Sequence, residues 1–285
     1  MFVKHTKLVE HSFNREFSWL VFSLVLIIHL LPLSAFFTPF YVADIWLFLI
    51  SYSLRVFALT AGYHRYFSHK SFETSRVFQF ILAYIGATAL QGGVLWWASH
   101  HRLHHKLSDT KEDAHSPKYL GFLHSHFGWF MQKKNLKAHY HLIRDFSRYP
   151  ELRFLERYWY ITPLPILILL YYIGGLNYVI WGYFVPTVFV NNVTYMVNSV
   201  AHLFGSRRYQ TKDDSRNNLI VALLTFGEGW HNNHHRFAAS VRQGFRWYQI
   251  DISYILLKIL FYLGIVKNLK PVPKRVLMEG KYELT

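Results

Sequence analysis

The chain has 285 residues, 52% of them hydrophobic and 19% aromatic, a composition that argues against an ordinary soluble domain and for a membrane protein. Its formal net charge of +15 falls between long apolar stretches, so it reads as flanking charge at an anionic membrane surface and argues against a nucleic-acid partner. The lack of cysteine excludes disulfides, thiolate metal sites, iron–sulfur clusters and thiolate-ligated haem.

Residues 1–16, with Lys4, Lys7 and Arg15, read as a short basic arm on the cytoplasmic side. No cleavable signal peptide is expected, because the apolar run that follows is too long and lacks a small-residue cleavage site. Residues 17–37 are apolar enough to span a membrane. Pro32, Pro39 and Asp44 mark a turn, and residues 41–63 form a second span that returns the chain to its starting side. His64 and His69 follow at once.

A third apolar stretch, 77–98, is long enough to span but contains Gln79, Gln91 and the pair Gly92-Gly93. A span here would put the histidines before it and those after it on opposite faces. A re-entrant or interfacial helix, buried against protein, is therefore expected. Residues 99–157 then form a polar, His-rich cap. Spans 158–176 and 177–202 make another hairpin, turned by Gly174-Gly175, and residues 205–285 form a second cap with one more apolar piece near 250–266. The fold class expected is all-α integral membrane: one domain, four transmembrane helices and a cytosolic His-rich helical cap.

The histidines carry the chemistry. His231, His234 and His235 stand at i, i+3 and i+4, as do His101, His104 and His105. At helical pitch each set projects from one side with neighbouring Cβ atoms roughly 5–6 Å apart, which is metal-ligand spacing. His101 and His105 share a face, and His104 sits about 60° to one side. His64 and His69 would be about 140° apart on an α-helix, so the helix should end just after His64. Eight histidines on one membrane face are too many for one ion and suit two. All-nitrogen ligation fits iron, zinc, copper or nickel and disfavours magnesium or calcium. Asp109, Asp113 and Glu228 are placed to fix imidazole tautomers.

His64-x-x-x-x-His69, His101-x-x-His104-His105 and His231-x-x-His234-His235 resemble the three histidine boxes of the membrane fatty acid desaturases. Thr60-Ala61-Gly62-Tyr63-His64-Arg65, Gly121-Phe122 with Ser125-His126-x-Gly128-Trp129, Asn198-Ser199-x-Ala201-His202-x-Phe204-Gly205 and Gly227-Glu228-Gly229-x-His231-Asn232 are similar to the Δ9, stearoyl-type branch, in its bacterial form. The resemblance covers roughly residues 15–250 and implies a non-haem di-iron centre. One iron would take His64, His69, His101, His105 and His235. The other would take His104, His202, His231 and His234, with Asn198 reaching it through a water. His202, alone at the end of a span, enters only through the resemblance.

The implied reaction uses O₂ and two electrons to remove two hydrogens from an unactivated acyl chain, leaving a cis double bond. No protein side chain supplies such an oxidant, and redox-silent zinc would leave the site inert. Thr60, Val56 and Tyr52 step back by four from His64 and are candidates for the walls and floor of an apolar tunnel. Positions matching Gln91, Trp97 and Thr194 lie around the tunnel's bend in the family. The acyl carrier is CoA, with an acyl-lipid as the alternative. Ser99-His100 stands where animal acyl-CoA enzymes have a basic-acidic pair. Electrons would come from a separate protein such as a cytochrome b5 or a ferredoxin. The location implied is multi-pass in a bacterial inner membrane, or the endoplasmic reticulum in a eukaryote, with termini and active site cytoplasmic.

Two other functions fit parts of this pattern. A hydroxylase on the same scaffold needs the same metals. A metal transporter should hold its ligands near the bilayer midplane, whereas these sit at helix ends. Among the remaining histidines, His100 competes with His101 for its slot, His29 reads as a helix-packing hydrogen bond with Asn191 and Asn192 treated alike, and His115, His124, His126, His139 and His141 read as hydrogen-bonding or surface groups.

Overall fold

The computed structural model describes residues 16–279. The basic arm and both chain ends therefore lie outside the described residues. Among the described residues, three helical stretches are long and apolar enough to cross a membrane: Trp19–Phe37, Val42–Ser68 and Leu164–Leu203.

Helix α1 (Trp19–Leu30) starts at Ser18, whose hydroxyl accepts from Val21 N–H, and tightens at Pro32 into a 3₁₀ helix that ends at Phe37. Helix α2 (Val42–Phe57) is capped by Asp44, which accepts from Tyr41 N–H at 2.7 Å. It then widens into a π helix over Ala58–Ser68. This differs from the expected stop after His64. The π ladder bonds i to i+5, as in His69 N–H to His64 O at 3.3 Å. Residues five apart therefore lie one turn above each other, and the His64 and His69 rings meet at 4.9 Å.

The stretch 77–98 is two helices. Helix α3 (Arg76–Ala87) stops, Leu90 and Gly92 take left-handed φ of 59° and 91°, and α4 (Val94–Leu107) begins. The start of α4 is capped from a distant helix, α5 (Pro150–Tyr158): Glu156 Oε2 accepts from Leu95 N–H at 2.9 Å and Trp96 N–H at 3.0 Å. The main core joins these pieces through Leu59, Tyr63, Phe67, Leu82, Leu95 and Leu152.

Leu164–Leu203 is not one rod. Helix α6 (Leu164–Val179) breaks at Gly174 and Gly175, the latter at φ 64° and ψ −155°. The chain folds back so that a Cβ on Gly182 would lie 3.0 Å from Leu170 Cδ2, whereas twelve residues of continuous helix would separate them by about 18 Å. The second arm continues into α7 (Val185–Leu203).

Beyond α7 the chain builds the short helices α8 (Leu219–Leu224) and α9 (His231–Arg236), then α10 (Ile252–Tyr262). A two-residue antiparallel pair, β1 (Glu73–Thr74) with β2 (Val266–Lys267), ties the later segment to the turn after the π helix.

Candidate metal centre

Four segments meet at one place: the end of the π helix, the last turns of α4, the end of α7, and α9. Five histidines from three of them, His64, His69, His101, His105 and His234, bring one ring nitrogen each within 4.8 Å of one another. His104, His202, His231 and His235 do the same beside them. Along the first set, Nε2 atoms lie 3.0 Å apart for His64 and His234, and 2.9 Å for His69 and His101, His101 and His105, and His105 and His234. In the second, His231 Nε2 lies 3.0 Å from His202 and 3.1 Å from His235.

Four of the nine rings have their tautomer set from outside the clusters. His202 Nδ1 donates to Asp109 at 2.7 Å, His235 Nδ1 to Asp213 at 2.8 Å and His104 Nδ1 to Asp113 at 3.1 Å, while His64 Nδ1 pairs with Glu228. In the neutral ring the other nitrogen, Nε2, is then a lone pair. Lone pairs aimed at one another are a cation's environment. For metal–nitrogen bonds of about 2.1 Å, neighbouring ligands at right angles lie about 3.0 Å apart, which is the spacing found. An all-imidazole set of this geometry fits iron.

Charge agrees with that role. Burial, reinforced by the neighbouring imidazoles, pushes His69, His101, His105, His231, His234 and His235 well below the usual histidine range, which keeps them neutral. His104 is the exception: burial lowers it, and Asp113 beside it raises it overall. Burial would lift Asp109, but hydrogen bonds from His202 and Ser116 bring its carboxyl down to about 2.

The division between the clusters differs from the one the resemblance implied. His234 belongs with His64, His69, His101 and His105, and His235 belongs with His104, His202 and His231. The reason is helical geometry. On α9, His231 and His235 are i, i+4 and share a face, while His234 turns to the side, as His104 does on α4. Each of the two His-x-x-His-His boxes thus gives two ligands to one cluster and one to the other, in opposite senses, while His64 and His69 both join the first.

The three expected carboxylates, Asp109, Asp113 and Glu228, all reach a histidine. Asp213 was missed. Glu228 also accepts from the buried Arg65 at 2.9 and 3.0 Å, and Arg65 bonds Asp251. Gly227, at φ 125°, turns the chain there, and a Cβ on it would lie 2.5 Å from Asp251 Oδ1. His100 stays outside both clusters: its Nδ1 donates to Trp96 O at 3.0 Å. His115 approaches His104 and Asp113 from behind.

A cavity of about 310 Å³ lies under the first cluster, lined by Gln91, Trp97, His101, Thr194, Tyr195 and Asn198 among others. Trp97 stacks on His101 at 5.1 Å, and both line the cavity. Gln91 donates to Asn191 at 3.0 Å. Tyr52, Val56 and Thr60 are not among the lining residues, unlike the tunnel expected from their spacing. Other side chains fill that face: Tyr52 O–H donates to Leu224 O at 2.6 Å and its ring meets Phe48 and Phe226, Val56 is in the core, and the Thr60 hydroxyl bonds Ser253 at 2.6 Å.

Residues 42–254 match the protein family described as fatty acid desaturase. The chain is 41% identical over 262 residues to acyl-CoA 5-desaturase AL21 of Anemone leveillei, covering 90% of this chain and 81% of the relative. It is 38% identical over 266 residues to sn-1 stearoyl-lipid 9-desaturase of Synechocystis sp., covering 90% and 81%. It is 35% identical over 264 residues to Delta-9 acyl-lipid desaturase 2 of Arabidopsis thaliana, covering 90% and 84%.

Proposed function

The chain belongs to the fatty acid desaturase family, and we propose that this oxidoreductase is an O₂-dependent di-iron enzyme that places a cis double bond, at Δ9, in a saturated acyl chain. The observation that carries this reading is the pair of all-imidazole clusters at the head of an apolar cavity. Two irons held there would supply redox chemistry with O₂; in the overall reaction the acyl chain would give up two hydrogens, and with two electrons and two protons from outside O₂ would leave as two waters.

The chain's own residues do the rest. The carboxylates of Asp109, Asp113, Asp213 and Glu228 hold Nδ1–H and so keep Nε2 turned inward. Trp97, stacked on His101 in the cavity wall, sets where along the acyl chain the C–H bonds meet the centre. Asn198, on α7, lines the cavity and is free among the described residues to hold a water for the second ion. With the Leu164–Leu203 stretch counted as a hairpin, the reading has four spans that return the chain to one side, and that side, with the histidine clusters, is taken as cytoplasmic.

The acyl carrier is CoA or a membrane lipid, since relatives named for both match this chain. An external protein donates the electrons. Expression in a desaturase-deficient host, with products analysed by mass spectrometry, tests the reading. A Δ9 alkene supports it, and a hydroxylated chain turns it into a hydroxylase.

A further inference from the structure

One wall of the cavity is a single helix thick. Val21, Val25, Ile28 and His29 of α1 face the cavity and recur at i, i+4, i+7 and i+8, one stripe of a helix. No residue of α1 is buried, and Leu20, Leu26 and Ile27 on its other faces are exposed. The helix is therefore a panel between the cavity and the surrounding lipid. At its start it is pinned by Ser18 N–H to Met131 O at 2.8 Å and by the pairing of Phe17 with Gln132.

Among the described residues, one side-chain hydrogen bond ties this panel to α7, the helix across the gap. Asn192 Nδ2–H donates to His29 Nε2 at 3.1 Å. The polarity is fixed from both sides. His29 Nδ1–H donates to Val25 O at 2.8 Å, which leaves Nε2 as the acceptor. The second N–H of Asn192 goes to Val188 O at 2.8 Å, and its Oδ1 accepts from His126 at 3.3 Å. A neutral bond of this kind within a membrane is weak on average, so thermal motion opens it readily.

We propose that α1 is a lateral gate, latched by His29 and Asn192, through which an acyl chain still esterified to a membrane lipid enters the cavity. The proposal rests on the desaturase reading and names its substrate class. A lipid's acyl chain already lies in the hydrocarbon beside α1. Passing the gap moves it from one apolar medium to another while its headgroup stays at the interface. The chain of a water-borne acyl-CoA would be threaded from the aqueous side and does not need the gap.

The protein has no cysteine, so a His29→Cys, Asn192→Cys variant carries a unique thiol pair that a short bifunctional maleimide can bridge. Metal-loaded full-length protein is compared before and after bridging, in vesicles of stearoyl-phosphatidylcholine and with stearoyl-CoA. Exchange of deuterated phosphatidylcholine into the protein is followed by native mass spectrometry. Bridging is expected to slow lipid exchange and lipid desaturation at least tenfold, while acyl-CoA desaturation changes less than twofold. Lipid desaturation at the unbridged rate overturns the gate, and equal loss with both carriers overturns the lipid assignment. If the unbridged protein desaturates neither substrate, the desaturase reading falls, and lipid exchange alone decides the gate. If that variant does not fold, Asn192→Leu serves: Asn192 does not line the cavity, its loss removes the latch donor, lipid exchange is then expected to speed up, and an unchanged exchange rate overturns the gate.

Discussion

His234 and His235 are adjacent in the chain and serve different clusters: His234 Nε2 lies 2.9 Å from His105 Nε2, and His235 Nε2 lies 3.1 Å from His231 Nε2. Replacing either with alanine removes a ligand from a different ion. Iron content should fall from about two to about one per chain in each, with a loss of turnover beyond the roughly 100-fold upper range seen for residues behind a ligand. Mössbauer spectra of the iron that remains should differ between the two variants. Identical residual spectra would contradict the division.

Asp213 holds His235 in the tautomer that turns Nε2 inward. Asp213→Asn keeps the shape and weakens the acceptor, so iron affinity should fall about 10–100-fold. Competition with a ferrous chelator measures it, and an unchanged affinity would remove Asp213 from the account.

Much of this centre was legible in the sequence, for definable reasons. The histidine boxes are local, and helical pitch alone puts His101 and His105 on one face. The same pitch, applied to His231 and His235, already contained their pairing, which the resemblance obscured. Asp213 left no such trace, because it reaches His235 across a loop 22 residues away. The π winding of Ala58–Ser68 was hidden for another reason: it shows only in the i to i+5 ladder, yet it is what brings His69 over His64. The stretch 77–98 was expected as one re-entrant or interfacial helix, and its division into α3 and α4 depends on the left-handed turn at Leu90 and Gly92, while the filling of the face at Tyr52, Val56 and Thr60 depends on α8, Phe226 and α10, far along the chain.

Thr194 lines the cavity with its hydroxyl turned back to Val190 O at 2.7 Å. Thr194→Phe fills space that the acyl chain needs. Turnover of a stearoyl substrate should fall about 10–200-fold, the range for one misfitted group in an apolar pocket, with the products shifted to shorter chains. Gas chromatography of the product acyl chains reads both, and an unaltered profile would place the substrate elsewhere.

Gly86 packs α3 against the π helix: a Cβ there would lie 2.3 Å from Tyr63 Cε1, and Tyr63 is fully buried. Gly86→Ala should cost about 1–3 kcal/mol by overpacking, seen as a lower Tm of the purified protein in detergent. A Tm unchanged or raised would mean that the ring moves freely.

The most direct test of the central claim is iron content measured together with activity on one purified sample. The account predicts about two irons per chain, activity lost when chelation strips them, and activity regained on adding ferrous iron but not zinc. Acyl desaturation that persists after complete removal of iron would contradict it.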